Sequence, residues 1–225
     1  MPLATNARPL RQPDGTPAAG ALILLHGRGA PAASILPLAA ELGRPDLPAV
    51  APQAPGGAWY PNSFLAPLAA NEPHLSRAIG TVRQLVGEVE AAGIARPRVG
   101  LVGFSQGACL ALEVAARLGG RWGAVVAFSG GLIGTGELDA APPTLQGMGG
   151  PFADKAFDYD ADLGGTPVLL GCSDVDPHIP LARVERSAGV LRQLGADVDA
   201  RIYEGMGHTV NADELAAGTA LLAGL

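Results

Sequence analysis

Ser105 lies within Gly103-Phe104-Ser105-Gln106-Gly107. This is a GxSxG pentapeptide, which presents a serine hydroxyl at the apex of a tight strand-to-helix bend. Glycines flank such a bend because a Cβ there would collide with neighbouring backbone. A serine hydroxyl is a poor nucleophile until a base takes its proton, and that base must be oriented and charge-compensated by a carboxylate. Where the nucleophile sits on this kind of turn, the partners follow in the order Asp or Glu, then His. Of the four histidines only His178 and His208 lie beyond Ser105. His178 is two residues from the best acid candidate and is wedged between prolines, Pro177 and Pro180. His208 ends Gly205-Met206-Gly207-His208, a flexible loop that lets the ring reach across to the serine, so His208 is read as the base. The acid comes from Cys172-Ser173-Asp174-Val175-Asp176-Pro177-His178-Ile179-Pro180. Asp174 and Asp176 both qualify on position; one should bond His208 and the other cap the turn. Asp176 is favoured.

Acyl transfer also needs N–H donors aimed at the developing oxyanion, each worth ~10²- to 10³-fold in rate. The Gln106 N–H at the start of a helix is one. The loop His26-Gly27-Arg28-Gly29 is expected to supply the other, from Arg28. Trp59, Tyr60 and Phe64, three of ten aromatic residues, fall in the long irregular segment from Pro52 to Pro73 and are expected to form a substrate-pocket wall.

These residues need a scaffold. By chance alone, about 0.14 GxSxG matches are expected in a chain with this much glycine, so the context decides. Val99 to Val102 is an apolar strand, Ala108 to Leu118 carries the buried side of a helix, and Gly119-Gly120 stops it. Further strands are predicted over Ala21 to Leu25, Ala49 to Ala51, Ala124 to Phe128, Thr166 to Gly171 and Val198 to Tyr203. Helices are predicted from an N-cap at Ser34 through Leu42, from His74 or Leu75 to Ala92, from Leu181 to Leu194 and from Asn211 to Leu222. Residues 1–20 read as an irregular lead-in, and Ile133 to Gly165 as loop with at most one helical turn. Continuous apolar strands alternating with helices specify a mostly parallel sheet covered on both faces, with ligands bound at the carboxyl ends of the strands.

The length of 225 residues, with 48% hydrophobic content, suits one domain spanning 1–225. A net charge of −6 without a Lys/Arg cluster gives no support for nucleic-acid or anionic-membrane binding. No secretory leader or membrane span is apparent, so a cytoplasmic location is expected. Cys109 and Cys172 read as buried free thiols rather than a disulfide framework. The histidines lack HxH or HExxH spacing, so no metal is expected.

LHGRG, GFSQGA, DPHIP and GMGH, in this order and on these elements, resemble the carboxylesterase/phospholipase family of α/β hydrolases, which includes the acyl-protein thioesterases. The resemblance spans about Ala21 to Leu222. It implies an α/β-hydrolase domain without a large cap and cofactor-free hydrolysis of carboxylic or thiol esters. Its motifs place the nucleophile on Ser105, the acid on Asp176, the base on His208 and the oxyanion N–H groups on Arg28 and Gln106. Thioesterase members carry a smaller or apolar residue where Arg28 stands, so its guanidinium is expected at the pocket mouth, favouring small substrates with a carboxylate or polar oxygen. The leading expectation is a serine carboxylesterase acting on small to medium esters through an acyl-enzyme. The alternatives are a lactone or ring-fission-product hydrolase of aromatic catabolism, a lysophospholipase or thioesterase, and a non-catalytic binding module. The expected partner is a small-molecule ester, and a homodimer is compatible with the sequence.

Overall fold

The structure is a computed structural model that describes residues 2–138 and 154–225. Strand and helix alternate along it. The first half holds β1 (Leu3–Thr5), β2 (Ala21–Leu25), α1 (Leu38–Glu41), β3 (Ala49–Pro52), α2 (Leu68–Asn71), α3 (His74–Ala91), β4 (Val99–Phe104), α4 (Gln106–Leu118) and β5 (Ala124–Phe128). The second holds β6 (Gly136–Glu137), β7 (Lys155–Ala156), β8 (Pro167–Ser173), α5 (Leu181–Gln193), β9 (Asp197–Tyr203) and α6 (Ala212–Leu222).

Seven strands form one sheet in the order β1-β3-β2-β4-β5-β8-β9. Every neighbouring pair is parallel except β1 with β3. Successive side chains on a strand point to opposite faces, and both faces are covered. Ile23, Leu101, Val125 and Leu170 pack with α3, α4 and α5, whereas Leu22, Leu24, Val126 and Leu169 pack with α1 and α6. That is why β2 is buried at every position and reads as an unbroken apolar run. From β2 the chain moves outward to β3, then crosses back to β4 on the other side. The loops after β2 and β4 therefore diverge and open a crevice at their carboxyl ends.

Three sequence expectations need correction. Residues 1–20 are not wholly irregular, because Leu3–Thr5 adds an antiparallel edge strand to β3. A helix from Ser34 does not run to Leu42. Ala32–Ser34 is a 3₁₀ turn, Ser34 Oγ donates to the Pro31 carbonyl, and the α-helix starts only at Leu38 after Pro37. Pro37 has no N–H to donate back into the 3₁₀ turn, which separates the two pieces. Within Ile133 to Gly165, β6 and β7 pair as a two-stranded antiparallel sheet; residues 139–153 of that segment lie outside the described residues. Among the described residues no helix is long and apolar enough to cross a membrane.

Candidate active site

β4 and α4 are joined by a single residue. Ser105 adopts φ 55° and ψ −120°, a region costly for a residue with a Cβ and tolerated only where the surroundings over-determine it. Two close approaches do so. A Cβ on Gly107 would come within 2.7 Å of the His26 carbonyl oxygen and closer still to that of Leu25, and a Cβ on Gly103 would run into the Gly107 carbonyl. The helix start is thereby pressed against the ends of β2 and β4, and the Ser105 hydroxyl faces the crevice.

His208 comes from the loop after β9. Its Nε2 lies 2.9 Å from Ser105 Oγ and its Nδ1 lies 2.7 Å from Asp176 Oδ2. With Asp176 ionised, Nδ1–H donates to the carboxylate and Nε2 is left to accept the serine proton. Asp176 Oδ1 accepts from the backbone N–H of His178 at 2.8 Å and of Ile179 at 3.1 Å. Burial alone pushes this carboxyl up, but the His208 hydrogen bond and the two N–H donors outweigh it, and the net shift is below the ordinary value. The geometry separates the two aspartates. Asp176 both caps its own turn and reaches His208, while Asp174 Oδ1 accepts from Gly205 N–H at 2.8 Å, tying the acid loop to the histidine loop. Asp174 as the turn cap is thus corrected to a cross-loop tie, reinforced by Gly207 N–H donating to Ser173 Oγ at 3.0 Å.

The Arg28 loop lies directly on the bend, since a Cβ on Gly27 would sit 3.5 Å from the Ser105 Cβ. As the first residue of α4, Gln106 has no intrahelical acceptor for its N–H. Among the described residues, neither it nor the Arg28 N–H donates to a protein acceptor. Around Ser105 opens a cavity of about 600 Å³, lined by Tyr60, Phe64, Leu65, Phe104, Cys109, Ile179 and Pro180 with Arg28, Asn62, Ser63 and His178 among its polar residues. Burial pushes the Cys109 and Cys172 thiols up to about 12, so neither presents a thiolate to compete with Ser105.

Tyr60 and Phe64 reach the cavity as expected. Trp59 does not. Its indole is buried at 3% exposure, packs 5.0 Å from the His26 ring and donates Nε1–H to the His26 carbonyl at 2.8 Å. A buried indole needs an acceptor for its N–H, and here that acceptor lies inside the scaffold. Arg28 lines the cavity as expected, with its guanidinium engaged by the wall. It donates to the Pro61 carbonyl at 2.7 Å and to the Asn62 carbonyl, bracing the wall.

Three contributors were missed. The Gln106 side chain accepts from Trp59 N–H at 2.9 Å and donates to the Tyr60 carbonyl at 2.8 Å. His178 and Phe104 bracket His208, with ring centroids 4.8 and 5.1 Å from it. Only Gln106 carried a readable signal, because a carboxamide that follows the serine into the start of a buried helix has to satisfy both of its ends.

Residues 11–147 match the phospholipase/carboxylesterase family. Acyl-protein thioesterase 1 of Gibberella zeae is 32% identical over 123 residues, which is 55% of this chain but only 46% of the thioesterase. The crystal structure of a phospholipase/carboxylesterase from Dyadobacter fermentans aligns with TM-score 0.84 and 34% identity over 98% of this chain and 95% of that one. That of esterase PE8 aligns with TM-score 0.70 and 29% identity over 92% of each chain.

Proposed function

From the premise that this chain belongs to the phospholipase/carboxylesterase family of α/β hydrolases, we propose that it is a serine carboxylic-ester hydrolase acting on small to medium esters through an acyl-Ser105 intermediate. Ser105 Oγ attacks the ester carbonyl carbon while His208 Nε2 takes its proton. The carbonyl electron pair moves onto oxygen, where the N–H groups of Arg28 and Gln106 receive it. Collapse expels the alcohol, protonated by His208, and leaves the acyl group on Ser105. Water, deprotonated by His208, then attacks the acyl carbon; the bond to Ser105 Oγ breaks, His208 returns the proton to that oxygen, and the carboxylic acid leaves. Asp176 keeps Nδ1 protonated and stabilises the imidazolium formed in each half-reaction.

The observation that carries this reading is the unbroken line Ser105 Oγ, His208, Asp176, at 2.9 and 2.7 Å, with the serine held at positive φ. The size limit rests on the cavity, whose 600 Å³ falls in the range of small-molecule sites. The test is hydrolysis of p-nitrophenyl esters from acetate to palmitate by wild type and Ser105→Ala. Turnover should be highest on short acyl chains and fall at least ~10³-fold in the variant. Undiminished activity in Ser105→Ala would remove the mechanism. A preference for palmitate would shift the substrate toward the acyl-protein thioesters of the relative's name or the phospholipids of the family's.

A further inference from the structure

The two oxyanion donors belong to different chain segments, Gln106 to the start of α4 and Arg28 to the loop after β2. We infer that the Gln106 carboxamide and the Trp59 indole together set the spacing between them, as positioning groups for the oxyanion site. This rests on the reading of Ser105 as nucleophile given above.

A closed chain of hydrogen bonds joins the segments. Gln106 Oε1 accepts from Trp59 N–H and Gln106 Nε2 donates to the Tyr60 carbonyl, so one side chain clamps two consecutive peptide groups. Trp59 Nε1–H then donates to the His26 carbonyl, two residues before Arg28. His26 is itself held, with Nε2 accepting from Ala54 N–H at 3.1 Å and Nδ1 facing the Gly27 carbonyl at 2.8 Å. Burial pushes its pKa down, which keeps the ring neutral and Nε2 available as an acceptor. All four residues are buried, with exposures of 6% for Gln106, 3% for Trp59, 1% for Tyr60 and 0% for His26, and of them Gln106 and Tyr60 border the cavity. The carboxamide cannot be exchanged for its nearest relatives, because Glu lacks the donor and Met lacks both functions. Trp59 does not line the cavity, so replacing it removes no substrate contact. Any catalytic effect of that replacement has to travel through the scaffold.

The test compares Trp59→Phe, Gln106→Met and the double variant with wild type and Ser105→Ala. Active sites are counted by end-point labelling with a fluorophosphonate, and kcat is expressed per labelled site so that misfolded protein does not enter. Affinity is read with an aryl trifluoromethyl ketone. Ser105 Oγ adds to its carbonyl carbon, the π pair becomes an oxyanion, and the serine proton passes to His208 Nε2. Loss of one oxyanion donor costs ~10²- to 10³-fold, and a displaced donor less. Each single variant should lower kcat and weaken ketone binding together by about 10-fold, leave KM within about twofold, and the double variant should lose little more than either single one. If kcat per site and ketone affinity stay within twofold of wild type while Ser105→Ala is inactive, the two residues only pack and the inference fails. A fall in kcat without a matching loss of ketone affinity, or multiplicative losses in the double variant, also overturns it. If Ser105→Ala is active, the nucleophile reading fails first and takes this one with it.

Discussion

The bend that carries Ser105 and the wall that faces it are built by different means. The bend is backbone against backbone, with Gly107 against Leu25 and His26 and Gly103 against Gly107. The wall, residues 58–68, is irregular chain whose peptide groups are satisfied by side chains from elsewhere. Arg28 serves the carbonyls of Pro61 and Asn62, Gln106 that of Tyr60, Asn71 that of Ser63 at 2.9 Å, and Lys155 that of Ala66 at 2.6 Å. Glu137 Oε1 accepts from both Leu68 N–H and Lys155 Nζ. A backbone-built part has no slack, so the Ser105 hydroxyl has one position. A part held by side chains can be retuned one tie at a time, which is where substrate preference can change without disturbing the chemistry.

The sharpest way to break this comparison is Gly107→Ala. One methyl group would meet main-chain oxygens at the end of β2, which cannot rotate away as a side chain could. Overpacking of this kind costs about 3 kcal/mol or more, equivalent to a melting temperature lower by roughly 6–12 °C for a chain of this size, with activity lost in proportion to folded protein. A variant melting within a degree or two of wild type would show that the bend has slack after all. Lys155→Met is the matching test of the wall. The ammonium is fully buried, and burial pushes its pKa down while Glu137 pushes it back up. Its loss leaves the Ala66 carbonyl without its donor, at a cost of ~2 kcal/mol. The expected signature is KM for a p-nitrophenyl ester raised about 3- to 10-fold with kcat within about twofold. A fall in kcat at unchanged KM would mean that Lys155 acts on the bend rather than on the wall.

The same division explains what could be read from the chain. β2, β4, β5 and β8 announce themselves as unbroken apolar runs because both faces of the sheet are covered, and α3 spans His74–Ala91 much as its apolar spacing predicts. Ser105, His208 and Asp176 are legible because the bend demands flanking glycines and the partners follow in a set order on successive strand-end loops. Asp176 is already favoured over Asp174 by the sequence, and the turn supplies the physical reason by placing one carboxylate against His208 and the other toward Gly205. β1, β6 and β7, of two or three residues each, are too short to show a period. Trp59 was misplaced, and Lys155 and the Gln106 side chain were overlooked, for one reason. Their roles are set by partners 18 to 89 residues away in the chain, such as Ala66 for Lys155 and Trp59 for Gln106.

Glu214 provides the finest probe, because it acts on β8 from the sheet face opposite α4, away from both the bend and the wall. It lies on α6 with no exposure, and its carboxyl is pressed so closely on β8 that a Cβ on Gly171 would strike Oε1. Oε2 accepts from Asn211 N–H at 2.8 Å, completing a capping box, while Oε1 has no partner among the described residues. Burial raises its pKa to about 7; Asn211 N–H opposes the shift and neighbouring Asp213 adds to it. For an acid whose folded pKa lies above its unfolded value, the folded state holds a proton that the unfolded chain has already released between about pH 4.5 and 7. Stability from this group is therefore greatest below that window and declines through it. Asp176 has the opposite sign, with stability lost only as the pH falls below the ordinary carboxylate range, so it contributes a constant between pH 5 and 8. Glu214→Gln keeps the capping acceptor and removes the titration. Between pH 5 and 8 the wild type should lose roughly 2–3 kcal/mol relative to the variant, about 5–10 °C in melting temperature, while the pH profiles of kcat overlay. Parallel melting curves would acquit Glu214. Diverging kcat profiles would mean that the far face of the sheet is coupled to the chemistry, which the backbone-built picture forbids.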